Sequence, residues 1–383
     1  MKKTLANIAM VVASSLFAFA CAELVVRMLY KDDTNLFPRY HTDYAYGKYH
    51  IRGYRPGMVY WRTSVDGSWK FTTNSRGFHN TREFAYQKPA GTLRVLVLGD
   101  SNTQGSEIRQ DHTFSSVLEH ALTRPGRTTE VINTGVSGFG TAEQLVLLEN
   151  EGLKYHPDVV VLGFFANDFD DNLKADLFGL DAQGKIVENK YEYIPGVKVQ
   201  NFIYAIPGLT WLSENSYFYS ILFNRAWLLA KWQFNMRTAK TFAQAPGEKP
   251  TEIGGLEYII PQRATPYQID LAFALIERMQ KFCASNGIRL IVVDVPSHGS
   301  EPFTSVPSLT EPMIEHLRGF GVEVVPSVSL FAPYQGAAEL HVAHGERHIS
   351  EFAHTLIGVE LARRIMDAPQ GTGAVGVARP SGK

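Results

Sequence analysis

Two cysteines in 383 residues, Cys21 and Cys283, exclude a disulfide framework. Cys21 lies in an N-terminal apolar segment and Cys283 in an expected helix, so no bridge between them is expected. Neither charge is in excess: Lys+Arg 37 against Asp+Glu 38 removes the electrostatic case for a nucleic-acid partner. No Cys-x-x-Cys pair offers a metal site and no Gly-rich phosphate loop of the Walker kind appears, so neither a metal nor a cofactor is expected. The length allows one large core or two small ones.

What the chain does have begins at its N-terminus. Lys2 and Lys3 precede Leu5 to Ala22, which is apolar but for Asn7, Ser14 and Ser15. Eighteen residues rising 1.5 Å each cover about 27 Å, close to a bilayer core of ~30 Å. Ala18-Phe19-Ala20 before Cys21 is a candidate cut, by signal peptidase or as a degenerate lipoprotein box. Phe19 two residues before the cysteine and the amphipathic continuation Glu23–Tyr30 favour instead an uncleaved anchor over residues 1–30. Its lysines then face the cytoplasm and the body is extracytoplasmic, in the periplasm.

Residues 31–92 are rich in Tyr, Arg, Gly and Trp without helical periodicity, which reads as a β-rich lead-in packed on the main domain. The stretch Leu93-Arg94-Val95-Leu96-Val97-Leu98 has five apolar residues out of six and no alternation, the pattern of a strand buried on both faces. It runs into Gly99-Asp100-Ser101-Asn102-Thr103-Gln104-Gly105. Strands are likewise expected at Glu130–Thr134, Asp158–Phe165, Ile288–Val295 and Val322–Val325. Helices are expected at Thr113–Leu122, Ala142–Leu153, around Thr310–Arg318 and at Ile349–Met366. The capping-box pattern of Thr265-Pro266-Tyr267-Gln268 opens a further helix, closed by Asn286-Gly287. Strand, loop and helix repeated at this spacing argue a parallel, helix-flanked sheet over 93–366. An aromatic, partly helical insertion at about 172–262 interrupts it and is placed to cover a pocket. Asp367 onward reads as a disordered tail.

Open α/β sheets put their chemistry outside the carboxyl ends of the strands. Three such ends and the start of the last helix carry Ser101, Gly138, Asn167 and His348. Serine attack on an ester needs a base, a group that orients the base, and donors facing the developing oxyanion. His348 supplies a base. The backbone N–H of Ser101 and of Gly138 and the side-chain amide of Asn167 supply donors, and glycine at 138 permits close approach of a reacting carbonyl.

In these blocks the chain resembles the SGNH (GDSL-type) hydrolases. The matching segments are Gly99-Asp100-Ser101, Asn133-Thr134-Gly135-Val136-Ser137-Gly138, Asn167-Asp168, and Glu346-Arg347-His348-Ile349-Ser350 with His354. The resemblance covers about 93–170 and 265–366. It implies a flavodoxin-like three-layer α/β/α sandwich around a parallel sheet of about five strands, and ester hydrolysis or acyl transfer without a metal. Asn74-Ser75-Arg76-Gly77-Phe78 and the anchor's end look like the membrane-anchored bacterial branch. The family usually carries Asp two or three residues before the histidine; here Gly345 and Glu346 stand there. Glu346 is the expected orienter, with a Ser–His dyad held by a backbone carbonyl as the alternative. His341, His344 and His354 crowd the same stretch, and His348 is preferred because it directly precedes the last helix.

The leading expectation is therefore an anchored serine hydrolase acting on an acyl or acetyl ester, with an envelope glycan as the candidate carrier. A polysaccharide O-acetyltransferase would use the same residues, and a catalytically silent binding or assembly protein would keep the fold alone.

Overall fold

A computed structural model describes residues 2–239, 264–344 and 348–367. Helix α1 (Lys2–Tyr30) leads into two antiparallel hairpins, β1–β2 (His41–Tyr46, Tyr49–Tyr54) and β3–β4 (Val59–Ser64, Gly67–Thr72). The sheet then begins with β5 (Leu93–Leu98), followed by α2 (Ser101–Gln104) and α3 (Phe114–Leu122). Next come β6 (Thr129–Asn133), α4 (Thr141–Asn150), β7 (Val159–Phe164) and α5 (Asp168–Ala175). The insertion holds β8 (Phe178–Leu180), β9 (Ile186–Glu188), β10 (Glu192–Tyr193), α6 (Val197–Ala205), α7 (Leu209–Asn215) and α8 (Tyr217–Ala239). The core resumes with α9 (Pro266–Ser285), β11 (Arg289–Asp294), β12 (Ser297–His298), β13 (Ser305–Val306) and α10 (Glu311–Gly319). It closes with β14 (Glu323–Val325), α11 (Ser327–Phe331) and α12 (Glu351–Asp367).

Five strands form one parallel sheet in the order β14-β11-β7-β5-β6. Successive side chains of a strand point to opposite faces, and β5 shows both destinations. Leu96 and Leu98 join Ile132, Val160 and Leu162 under α4 and α9, whose Leu145, Leu148, Leu275 and Met279 are buried there. Val95 and Val97 join Val131, Val161 and Val293 under α3 and α12, which bury Phe114, Leu118, Ile357 and Leu361. Burying one such aliphatic side chain is worth about 1.5–3 kcal/mol. This is the expected α/β/α sandwich. Helix α9 starts as its sequence promises: the Gln268 N–H donates to Thr265 Oγ1 at 3.3 Å and the Thr265 N–H to Gln268 Oε1 at 2.8 Å.

The lead-in shares the first of these cores rather than owning one. Tyr46, Tyr49, Ile51, Tyr54 and Phe71 belong to the same buried cluster as Leu96, Leu148 and Phe178. Tyr40 stacks on Tyr60 with centroids 5.3 Å apart, and Phe71 on His79 at 4.0 Å. Besides its helices the insertion carries short strands: β8 and β9 form a hairpin and β10 pairs in parallel with β2. Its helices dock on the N-terminal part. Gln200 Oε1 accepts from the His41 N–H at 2.9 Å and Glu214 Oε1 from the Trp61 N–H at 3.0 Å. Residues 240–263 of the insertion and the tail 368–383 lie outside the described residues.

Helix α1 and the turn after it, Lys2–Asp33, are long and apolar enough to cross a membrane. Its side chains are largely exposed, except where Glu23 accepts from the backbone N–H groups of Tyr217 and Phe218 at 3.1 and 2.9 Å. A carboxylate on the free N–H groups of α8 complements that helix end. Cys21 is exposed and Cys283 buried, and neither is bridged.

Candidate active site

Three features put Ser101 where it can react. Strand β5 ends at Leu98, Gly99 turns with φ +156°, and α2 begins on Ser101 itself. A Cβ on residue 99 would overlap Thr103 Oγ1 and press on the carbonyl of Gly163, so the turn needs glycine. Asp100 caps α2, its Oδ1 accepting from the Asn102 N–H at 2.9 Å. The Asp100 side chain is buried, and burial pushes its carboxyl up to about 6 against the pull of His348.

His348 arrives from the other end of the chain. Its loop is clamped onto α2 by the Ile349 N–H, which donates to Asn102 Oδ1 at 3.2 Å, and onto its own strand turn by Val342 N–H to His348 O at 2.8 Å. His348 Nε2 then lies 2.9 Å from Ser101 Oγ. On the far edge of the ring, Nδ1 lies 3.0 Å from Glu107 Oε2. Glu107 Oε1 in turn accepts from an Arg62 guanidinium nitrogen at 3.0 Å. These side chains are withdrawn from water: 4% exposed for His348, 0% for Glu107 and 7% for Arg62.

Nδ1 thus faces a carboxylate that the sequence did not single out. Glu346, with Gly345 and Arg347, lies outside the described residues, while Glu107 reaches Nδ1 from the loop after α2. The other histidines of that stretch have separate places. His341 Nε2 faces the Pro296 carbonyl at 3.2 Å, and His344 pairs at the surface with Asp66 Oδ1 at 2.8 Å. His354 is buried in α12, where its Nδ1 accepts from the Phe114 N–H at 3.0 Å. That acceptor role needs a neutral ring, and burial pushes the His354 imidazole down to about 3.

Gly138 sits at φ +77° in the loop after β6, and its carbonyl accepts from the Arg52 guanidinium. The Val136 N–H donates to Gly99 O at 3.1 Å, and Asn133 Nδ2 donates to Thr103 O at 3.0 Å, which ties this loop to the serine's turn. Tyr54 adds a side-chain strut: its hydroxyl accepts from the Ser137 N–H at 2.7 Å and donates to Gln104 Oε1. Asn167 stands at the start of α5, its Nδ2 donating to Asp171 Oδ2 at 3.0 Å. One amide hydrogen is thereby used and the other is left for a further acceptor. Beside it the buried Asp168 carboxyl is pushed well up by desolvation and by the negative charges of Asp100 and Asp171.

Glu107 and Arg62 escaped the sequence reading. Glu107 follows the serine by six residues in an irregular loop, and Arg62 stands in Val59–Ser64, whose three apolar and then three polar residues show no strand alternation. The available signal was a carboxylate within a loop already tied to the nucleophile, in a chain without Asp at its usual place near His348. Among the described residues there is no cluster of His, Cys, Asp and Glu able to hold a metal ion.

Residues 97–232 match the model of the GDSL-like lipase/acylhydrolase family. Over 75 residues the chain is 35% identical to an arylesterase of Vibrio mimicus, a stretch that makes up 20% of this chain and 38% of that relative. The chain thus spans about four-tenths of the length of that curated relative. A solved lipase/acylhydrolase from Enterococcus faecalis is 16% identical, with 71% of this chain and 95% of that one covered and a TM-score of 0.37. For a GDSL-like lipase from Bacteroides thetaiotaomicron the values are 11%, 71%, 88% and 0.33. His348 and Arg62 both lie outside the matched residues.

Proposed function

We propose, for a chain whose residues 97–232 match the GDSL-like lipase/acylhydrolase family, a serine hydrolase of acyl or acetyl esters. The observation that carries it is the 2.9 Å contact between Ser101 Oγ and His348 Nε2 at the carboxyl end of β5. In the first half-reaction Ser101 Oγ attacks the acyl carbon while His348 Nε2 takes the hydroxyl proton. The ester C–O bond breaks, and the same proton passes to the departing alkoxide, leaving an acyl-Ser101 ester. Water then repeats the sequence: His348 accepts its proton, the acid is released, and the proton returns to Ser101. The N–H groups of Ser101 and Gly138 and the second hydrogen of Asn167 Nδ2 are the donors assigned to the oxyanion, with Asp171 fixing the amide's direction.

Hydrolysis of p-nitrophenyl acetate by the full chain in detergent tests this, beside Ser101→Ala and His348→Ala. Each variant is expected to lose about 10³-fold or more in kcat with its melting temperature retained. Hydrolysis undiminished in Ser101→Ala would overturn the assignment. Lys2, Lys3 and the apolar run of α1 support an uncleaved anchor with the body in the periplasm, where esters of envelope glycans are at hand. Release of full-length protein by alkaline extraction of membranes would contradict the anchor. Acetate release from an O-acetylated polysaccharide is the corresponding measurement for the glycan.

A further inference from the structure

We infer that Glu107 is the positioning residue of His348 and that Arg62, from outside the family-matched segment, holds it in place; the inference rests on the ester-hydrolase reading above. The two carboxylate oxygens have divided duties. Oε2 faces His348 Nδ1 at 3.0 Å, and Oε1 accepts from Arg62 at 3.0 Å. A carboxylate at Nδ1 keeps the hydrogen on that nitrogen, which leaves Nε2 bare toward Ser101 Oγ and stabilises the imidazolium formed once the serine proton has moved.

Two independent features argue that this carboxylate is placed for function. The Glu107–Arg62 pair is buried, with side chains 0% and 7% exposed, and removing both charges from water is costly enough that apolar residues of similar size would hold a fold equally well. The backbone of Glu107 lies in the left-handed region at φ +65°, where glycine would be free of strain and a side chain is not. Strain of this kind is found where the surrounding structure and the chemistry demand a particular side chain. Here the neighbours supply the demand: Ile108 is buried next to it, and the Arg109 guanidinium is held by Glu351 of α12 at 2.6 Å, fixing the loop against the helix that follows His348.

Arg62 reaches the pair from β3 and lies over the Phe37 ring at 5.0 Å, so its own direction is set inside the lead-in. The hairpin module is thus part of the apparatus that positions His348.

The test uses the full chain in detergent with p-nitrophenyl acetate, comparing Glu107→Gln, Glu107→Asp, Arg62→Met, the double variant Arg62→Met/Glu107→Gln, Glu346→Gln and Ser101→Ala. Glu107→Gln is expected to lower kcat by about 10²–10⁴-fold with KM changed less than about threefold, since the loss is of imidazolium stabilisation and not of binding. Glu107→Asp is expected to recover at least about tenfold of that loss, and Arg62→Met to lose about tenfold. The double variant, which removes both buried charges and so guards against misfolding, is expected to be no worse than Glu107→Gln alone, the signature of a residue acting through its partner. Full activity of a folded Glu107→Gln or double variant, with Ser101→Ala dead, overturns this inference and leaves the hydrolase standing. A kcat loss in Glu346→Gln with Glu107→Gln unaffected does the same and gives the role to Glu346. Equal turnover by wild type and Ser101→Ala overturns the hydrolase reading itself.

Discussion

The sheet domain and the hairpin lead-in contribute to the site in different ways. The sheet places atoms by backbone: Ser101, Gly138 and Asn167 follow β5, β6 and β7, and His348 precedes α12, because dry apolar packing fixes those ends. The lead-in aims them by side chains. Arg62 holds Glu107, the Arg52 guanidinium holds the Gly138 carbonyl, the Tyr54 hydroxyl braces Ser137 and Gln104, and His79 Nδ1 donates to the Gln104 carbonyl at 2.5 Å. Apolar packing tolerates exchange of one aliphatic for another, whereas an aimed hydrogen bond has no substitute of nearly the same shape. Damage to the sheet should therefore show as lost protein, and damage to the lead-in as lost turnover per folded molecule.

That contrast can be broken at graded cost. In the sheet, Leu96→Ala opens a cavity at a side chain with no exposure and is expected to cost about 2–5 kcal/mol, with kcat of the remaining folded protein unchanged. Denaturant melts paired with active-site titration measure both. A turnover defect in that folded fraction would erase the distinction. Gly138→Ala sharpens it from the other side, because φ +77° strains alanine and its methyl would meet the Arg52 guanidinium. A loss of about 1–3 kcal/mol in stability is expected, together with a drop in kcat from the displaced N–H. Tyr54→Phe removes only a hydroxyl that serves two groups. It is expected to cost about 1–2 kcal/mol and to lower kcat several-fold while KM holds, as read from steady-state kinetics.

The smallest effect is one of pH. Burial pushes the His79 imidazole down to about 4, so the fold holds it neutral while the unfolded chain takes up a proton below about 6.5. Between those values the unfolded state binds more protons, and the His79 contribution to stability is lost as pH falls. Asp100 and Asp294, both pushed up to about 6 by burial, act in the opposite sense: their contribution is complete at low pH and is lost as pH rises through that value. Subtracting the melts of His79→Asn from those of wild type isolates the imidazole, and the difference should shrink from pH 7 to pH 4. A pH-independent difference would contradict the burial of a neutral ring.

Legibility in the sequence follows the same division. The strand β5, the order of strand-end loops and the capping box of Thr265 could be read because period and cap chemistry are local. Ser101 and His348 were reachable from the ends of such elements, and the structure puts their side chains in contact. Glu107 was not, since a left-handed residue in an irregular loop leaves no periodic trace and its value appears only when His348 arrives from 241 positions away. Arg62 sits in Val59–Ser64, where three apolar residues precede three polar ones without alternation, and the structure buries it on the face of Tyr60. The parallel pairing of β10 with β2 is two residues long, too short to carry a pattern.

The most direct measurement is to treat the full chain with a fluorophosphonate that forms a stable ester with an activated serine, and to locate the adduct by peptide mass. A single adduct on Ser101, absent in His348→Ala and slowed in Glu107→Gln, is the predicted result. An adduct on another residue, or labelling of Ser101 that is equally fast in all three proteins, would contradict the assignment of an activated nucleophile to this site.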